Sequence, residues 1–143
     1  LRSFYQRASR SAAEMRAQRE VAARGLEDDQ GGHFVGHRFV LDQGMKNLFP
    51  QNANFNMGAY RNFEDEVADW ISRGYDVKLM VTPNGNDAKG RPEAVTVEYQ
   101  VFKPNDPGGE QMHSRIHRFY NGPDQKYTRL TSQDMDRIID AWT

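Results

Sequence analysis

The feature that most constrains the fold is a change of hydrophobic period near the middle of the chain. In residues 57–73 apolar side chains recur every three or four positions, which predicts a helix with one buried face. Gly74 favours an end to that helix. Residues 77–81 and 95–101 instead alternate apolar with polar side chains, as half-buried strands do. This succession predicts an α+β domain with an antiparallel sheet.

The remaining segments carry weaker patterns. Residues 3–24 are rich in Ala, Arg, Glu and Gln without Pro or Gly, which predicts an N-terminal helix. Residues 33–40 predict a short strand, and the Asn-rich residues 45–56 predict a loop. Residues 112–120 predict a third strand. Thr131, with an acidic residue three positions on, predicts the cap of a last helix.

Length and composition exclude several classes of protein. The 143 residues predict one domain, and the absence of cysteine excludes a disulfide framework, a Cys-ligated zinc site and a thiol nucleophile. No apolar run is long enough for a transmembrane helix. Because the chain begins with Leu1 rather than Met, we expect it to be a piece of a longer protein.

The charge is close to balanced overall but uneven along the chain. The net charge is -1. Residues 1–26 hold six arginines and two glutamates, whereas residues 27–76 hold four basic and nine acidic side chains. This balance does not predict a strongly basic nucleic-acid-binding protein.

Two groups of polar residues are candidates for chemistry. His33 follows Gly31-Gly32, where it could act as a general base beside a phosphate or a metal, or could be an ordinary strand histidine after a turn. Amide side chains cluster ahead of the central helix, where they could bind a hard metal or form turns and a helix cap. This cluster comprises Asn47, Gln51, Asn52, Asn54 and Asn56.

Four further ionisable residues receive simpler interpretations. Glu64 and Glu66 lie in the predicted central helix and are expected on its solvated face. His113 and His117 share one face of a predicted strand, about 13 Å apart, which is too far for one metal ion to bridge. We therefore expect both histidines to be surface residues. Glycine-rich nucleotide-binding motifs, a P-loop, His-Glu-x-x-His and Gly-x-Ser-x-Gly are absent.

Taken together, these signals resemble the DNA/RNA non-specific endonuclease family, which has the ββα-metal (His-Me finger) fold. The matching stretches are Asp28 to Val35, Arg38-Phe39, Asn47-Leu48-Phe49-Pro50-Gln51, Asn56-Met57-Gly58-Ala59-Tyr60 and Glu64. The similarity covers roughly residues 16–103. It implies an α+β nuclease core at residues 27–103, an N-terminal helical arm at 1–26, and a C-terminal strand and helix at 104–143.

The resemblance also implies roles for individual residues. His33 matches the general base that activates a water, and Asn56 matches the single protein ligand of a catalytic Mg²⁺, or of Mn²⁺ in its place. A lone amide ligand suits an ion that keeps several waters. Glu64 matches an acidic residue that holds metal-bound waters. Eight residues of continuous helix rise about 12 Å, so Glu64 should act on the metal through water. Asn47 matches an asparagine that helps shape the site.

One departure from the family pattern concerns the phosphate. Some members have Asp-Arg-Gly before the histidine, whereas this chain has Gln30-Gly31-Gly32. The arginine that would stabilise the phosphate must then come from elsewhere. Arg38 is the first candidate, and Arg24 and Arg61 are the others.

The function implied by the resemblance is metal-dependent cleavage of DNA, and of RNA as a further candidate substrate, with little sequence preference. The helix, strand, loop and second strand that follow the motif resemble the branch of the family that is common in bacterial toxins. This resemblance implies the C-terminal effector domain of a secreted antibacterial toxin. We expect such a domain to be monomeric and to be secreted or delivered into the cytoplasm of a target bacterium. We also expect it to bind a cognate immunity protein and not to bind a membrane. The alternatives are a scavenging or DNA-uptake nuclease, an inactive nucleic-acid- or protein-binding module on the same scaffold, and an unrelated α+β protein.

Overall fold

The computed structural model describes residues 12–33, 48–106 and 109–142, and it is an α+β structure with antiparallel sheets. The elements in chain order are α1 (Ala12–Ala23), β1 (Asp29–His33), β2 (Leu48–Asn52), α2 (Ala53–Met57), α3 (Ala59–Ser72), β3 (Asp76–Asn84), β4 (Ala94–Phe102), β5 (His113–Tyr120) and α4 (Ser132–Asp140). The α+β prediction is therefore confirmed. No described helix is long and apolar enough to cross a membrane.

The larger sheet has the strand order β3-β4-β5, with both pairs antiparallel. Its inner face carries alternate residues of the central strand β4, among them Val97, Tyr99 and Val101, all buried. Helix α3 packs on that face through Phe63 and Trp70. The two strands and the helix predicted from periodicity are thus confirmed. The third strand, predicted over residues 112–120, is confirmed as β5.

The predicted ends of two helices are also confirmed. Gly74 follows α3 with a φ of 94°, a left-handed conformation that glycine adopts without strain. Thr131 caps α4 by accepting a hydrogen bond from the backbone N–H of Asp134, whose carboxylate accepts one from the backbone N–H of Thr131.

The smaller sheet corrects two predictions. Strand β1 begins at Asp29, ahead of the predicted strand at 33–40, of which positions 34–40 lie outside the described residues. Residues 45–56 are not simply a loop, since they contain β2 and α2. Four successive residues of β2, from Leu48 to Gln51, are buried, so no alternation marks the strand.

The N-terminal prediction is confirmed where the structure describes it. Helix α1 occupies residues 12–23, within the predicted helix at 3–24, while positions 3–11 lie outside the described residues. Gln18 of α1 donates a hydrogen bond of 2.9 Å from Nε2 to the carbonyl oxygen of Gly31. This contact joins α1 to the smaller sheet.

The prediction that Glu66 lies on the solvated face of the central helix is wrong. Its side chain is 0% exposed and lies between α3, the larger sheet and the segment before α4. The carboxylate accepts hydrogen bonds from Tyr99 Oη at 2.7 Å, from Arg115 Nη1 at 2.7 Å, from the backbone N–H of Leu130 at 2.6 Å and from Tyr127 Oη. Glu66 therefore joins parts of the chain that lie far apart in sequence.

His113 and His117 are half-buried rather than surface residues, although they do share one strand face. His113 packs between the rings of Trp70 and Tyr99, and His117 packs against Phe119. Burial lowers the pKa of both imidazoles. Arg115 lowers both further, while Glu66 acts in the opposite direction on the pKa of His113. These two histidines therefore pack against aromatic side chains of the core, and burial opposes their protonation.

Candidate functional site

The candidate site is assembled on the β1-β2 sheet and the short helix that follows it. The register pairs His33 with Leu48 and Gly31 with Pro50. His33 is the last residue of β1, so its backbone position is fixed by this pairing. The chain then passes directly from β2 into α2, which carries Asn56.

Helix α2 is held in place by its first residues. The backbone N–H of Phe55 donates to Asn52 Oδ1 at 3.3 Å, and the backbone N–H of Ala53 donates to the carbonyl oxygen of Asp28 at 2.9 Å. Asn52 therefore has the capping role that was one interpretation of the asparagine cluster. Asn56, four residues after Asn52, is available for a different role.

The amide of Asn56 is oriented by Gln30 of β1. Asn56 Nδ2 donates a hydrogen bond of 2.7 Å to Gln30 Oε1, and Gln30 Nε2 lies 3.9 Å from the sulfur of Met57. Because the amide nitrogen of Asn56 is used in this contact, its oxygen Oδ1 remains as an acceptor for another group. The site thus presents an oxygen donor with a fixed orientation.

A metal bound here would have few protein ligands. The described residues contain no group of three or more His, Cys, Asp or Glu that could hold a metal ion. A single amide oxygen fits Mg²⁺, which keeps several of its waters, better than it fits zinc, which is usually bound by three or four side chains. The described donors therefore fit the metal that the sequence predicted.

Asn56 lies in an open cleft of about 530 Å³ between α1, β1 and α2, which we call the α1 cleft. Helix α1 contributes Gln18 and Arg19 to its lining, and β1 contributes Gln30 and Gly31. The cleft is wide enough to admit a ligand with its hydration water. Helix α1, which the sequence presented only as an arm, is one wall of the candidate site.

Asp29 supports the site as one partner of a buried ion pair. Its carboxylate receives two hydrogen bonds from Arg91, at 2.6 and 3.2 Å, and its side chain is 0% exposed. The backbone N–H of Leu26 donates a third, at 2.8 Å. Arg91 also donates to the carbonyl oxygen of Asn121 at 2.8 Å. The pair fixes the start of β1, next to Gln30.

Asn121 was missed by the sequence analysis, and it joins the two sheets. Its Nδ2 donates to the carbonyl oxygens of Pro50 and Pro92, at 2.7 and 2.9 Å, and its Oδ1 accepts from the backbone N–H of Asn52 at 2.8 Å. These contacts satisfy backbone groups of β2 that do not pair with β1. Because the carbonyl group of Pro50 faces away from β1, the missing N–H of this proline removes no hydrogen bond between the two strands. The side chain follows β5, and no local pattern marks it.

The other predicted site residues are distributed as follows. Glu64 lies half-buried in α3. Its carboxylate acts on Tyr60, because burial raises the pKa of that phenol well above its ordinary value and the charge of Glu64 raises it further. Gly58 separates α2 from α3 with φ -108° and ψ -98°, so the rise of a continuous helix does not describe the path from Asn56 to Glu64. Arg24 and Arg61 are exposed, whereas Arg38 and Asn47 lie outside the described residues.

Comparison with known proteins identifies the family of this chain. The family model for the DNA/RNA non-specific endonucleases matches residues 2–103. The chain belongs to this family. Its succession of β1, β2 and the helical segment α2-α3 is consistent with the ββα-metal fold that the sequence predicted. The matched region includes every predicted site residue and ends before β5.

One relative of this chain is named as a probable nuclease. The chain is 29% identical over 92 residues to the Probable deoxyribonuclease RhsA of Dickeya dadantii (strain 3937). The match covers 64% of this chain and 6% of the relative, so the chain corresponds to only a small part of that protein. Membership of the endonuclease family implies a nucleic-acid substrate and, in general, a metal requirement.

Proposed function

We propose that this chain is a Mg²⁺-dependent endonuclease domain that hydrolyses phosphodiester bonds of DNA with little sequence preference. Mn²⁺ is the alternative metal and RNA the alternative substrate. The observation that carries the proposal is the amide of Asn56, which Gln30 orients within an open cleft of a chain that matches the endonuclease family.

Each residue has a separate task in the proposed reaction. An imidazole nitrogen of His33 accepts the proton of the water that attacks phosphorus, which general base catalysis requires. Asn56 Oδ1 would hold the metal, and Glu64 would orient water around it. When bound, the metal ion neutralises phosphate charge and stabilises the leaving oxygen. We also propose that Arg38 stabilises the phosphate and that Asn47 helps to shape the site.

Cleavage with little sequence preference does not require contacts to base edges. Contacts to the sugar-phosphate backbone position a nucleic acid without reading its bases. The cleft beside Asn56 is open, and the described residues around it are mainly small or polar. We therefore expect similar cleavage of plasmids of different sequence.

A cleavage assay tests the proposal. Purified protein is incubated with plasmid DNA or total RNA in Mg²⁺, Mn²⁺ or EDTA, beside His33→Ala, Asn56→Ala and Asn62→Ala. Asn62 is an exposed residue of α3 and serves as the matched asparagine control. We expect metal-dependent cleavage by the parent and by Asn62→Ala, with losses of at least about a hundredfold in the other two variants. Metal-independent cleavage, or full activity of both site variants, would overturn the proposal.

We further infer that the nuclease acts as a toxin delivered into the cytoplasm of a target bacterium, with a cognate immunity protein that blocks the active site. The similarity to a small part of a much longer probable deoxyribonuclease supports this role. Expression of the chain inside a bacterial host should degrade the host DNA and stop growth, whereas His33→Ala should be tolerated. A parent chain that is active in vitro yet harmless in the cytoplasm would instead favour a scavenging or DNA-uptake nuclease.

A further inference from the structure

The α1 cleft has an unusual shortage of positive charge for a site that must receive a phosphodiester. Among the described residues that line it, Arg19 is the one cation and Asp29 is the one carboxylate. Asp29 is neutralised by its buried pair with Arg91. Any favourable interaction between the described cleft walls and a phosphate charge therefore depends on Arg19.

The position of Arg19 is set by a close backbone contact between α1 and β1. A Cβ atom built on Gly31 would lie 2.1 Å from the carbonyl oxygen and 2.5 Å from the Cα atom of Gln18. The helix backbone therefore occupies the space that a side chain at position 31 would need. Gln18 Nε2 fixes the same contact through its hydrogen bond to the carbonyl oxygen of Gly31. Arg19, the next residue, is thereby placed at the wall of the cleft.

The guanidinium of Arg19 is available to a ligand. The residue is exposed, and no carboxylate in the described parts of the chain forms an ion pair with it. Arg16 and Arg24 are also exposed on or beside α1, but neither lines the cleft. Arg24, one of the arginines that the sequence offered for the phosphate, therefore has no place in the lining of this cleft. The three arginines share a charge and a neighbourhood in the sequence, and they differ in their position relative to the cleft.

We propose that Arg19 binds a backbone phosphate of the nucleic-acid substrate in the α1 cleft. Its guanidinium would supply the positive charge that the arginine of an Asp-Arg-Gly motif would bring and that Gly31 does not. An arginine suits this task because its planar guanidinium donates two parallel hydrogen bonds to phosphate oxygens. The inference deepens the proposed nuclease function and rests on it. It makes α1 a part of the substrate-binding surface.

Binding measurements at several salt concentrations test Arg19 separately from catalysis. Arg19→Gln, Arg16→Gln and Arg24→Gln are made in the uncleaving His33→Ala chain, and their binding to a short fluorescein-labelled DNA duplex is followed by anisotropy in EDTA. We expect Arg19→Gln to weaken binding about tenfold, since one charge-assisted contact is lost. The slope of log K against log salt should decrease in magnitude by about one for this variant. The two controls should change affinity by less than about twofold.

Two further variants sharpen the interpretation. Arg19→Lys keeps the charge without the planar fork, so its affinity should lie between those of the parent and Arg19→Gln. Thermal unfolding of Arg19→Gln should match that of the parent, because the side chain is exposed and unpaired within the described residues. Equal losses in all three glutamine variants would overturn the inference, because they would indicate diffuse attraction to the basic helix.

The outcomes distinguish the inference from the proposed function. If the parent cleaves DNA with metal but Arg19→Gln binds and cleaves like the controls, the nuclease function stands and the role of Arg19 is wrong. If the parent does not cleave but binding depends on Arg19, the phosphate site stands and catalysis is wrong. If the parent neither binds nor cleaves nucleic acid, both fail.

Discussion

Asn56 Nδ2 and Gln30 Oε1 are joined by a hydrogen bond of 2.7 Å that links α2 to β1 across 26 positions of sequence. The bond decides which end of the Asn56 amide is available, since the nitrogen is engaged and no hydrogen bond to the oxygen is seen among the described residues. A metal ligand whose orientation is fixed in advance loses less conformational freedom on binding. Gln30 is therefore a positioning residue for the proposed ligand.

We predict that Gln30→Leu raises the Mg²⁺ concentration required for half-maximal cleavage by about tenfold, because outer contacts of this kind contribute 10–100-fold to metal affinity. Gln30→Glu retains an acceptor for Asn56 Nδ2 and should need no more Mg²⁺ than the parent. Cleavage rates across a Mg²⁺ titration, with thermal unfolding as a check of folding, separate the variants. An unchanged titration midpoint in an active Gln30→Leu would contradict the positioning role.

The contrast between the two sheets explains how much of the fold was predictable. Strands β3 and β4 each bury one face, so alternation in the sequence predicts them. Strand β1, with the sequence DQGGH, has no such pattern, and it forms because β2 pairs with it. Long-range pairing of this kind overrides local propensity.

The candidate site was predictable to a different extent. The family pattern predicts roles for Asn56 and His33, and these roles stay predictions. Nothing local indicates that Gln30 contacts Asn56 or that α1 forms a wall of the cleft. Glu66 shows the same limit. Its position, three residues after Phe63 and four before Trp70, places it on the apolar face of α3, and its partners come from distant strands and loops.

The contact between α1 and Gly31 yields a stability prediction. Gly31→Ala would place a methyl group against the backbone of Gln18, which cannot move without displacing α1. We expect a loss of about 1–3 kcal/mol, as for other overpacked sites. Gly122→Ala is the control, because a Cβ there meets nothing within 4 Å. Urea unfolding, with hydrogen exchange of α1 amides, measures both effects, and equal stability of the two variants would show that α1 does not hold this position in solution.

The Arg91–Asp29 pair should contribute strongly to stability. Arg91→Ala leaves the fully buried Asp29 carboxylate without its cation, and breaking such a pair costs about 3–5 kcal/mol. Arg91→Lys should lie between, because an ammonium cannot reproduce the forked contact. The exposed pair of Arg137 with Asp134 provides the control, and Arg137→Ala should leave the urea midpoint close to that of the parent. Urea midpoints that do not separate Arg91→Ala from Arg137→Ala would refute this ranking.

Glu66 provides a second buried carboxylate with a matched exposed neighbour. Glu66→Gln replaces one acceptor oxygen by an NH₂ group facing donors, so we expect a loss of about 2–4 kcal/mol. Asp69→Asn, one turn further along α3, weakens an exposed pair with Arg129 and should cost less than about 1 kcal/mol. Chemical unfolding of both variants gives the comparison. Similar losses would mean that water reaches Glu66 in solution.

His113 predicts how stability changes with pH. Burial lowers the pKa of its imidazole, Arg115 lowers it further, and Glu66 acts in the opposite direction. The unfolded chain therefore takes up this proton first, as pH falls below about 6.5. Stability should be unaffected by His113 above that pH and should decrease from there down to the lowered pKa of the folded state, because the unfolded chain binds more protons in this window.

His113→Phe tests this pH dependence while keeping a ring between Trp70 and Tyr99. The variant should lose less stability than the parent when the pH is lowered from about 7 to 5, a range in which an ordinary histidine titrates. Urea unfolding at intervals across this range measures the difference, and the acid loss from carboxylates cancels because both chains share it. Parallel curves for the two proteins would mean that His113 titrates alike in the folded and unfolded chains, and that its burial does not oppose protonation.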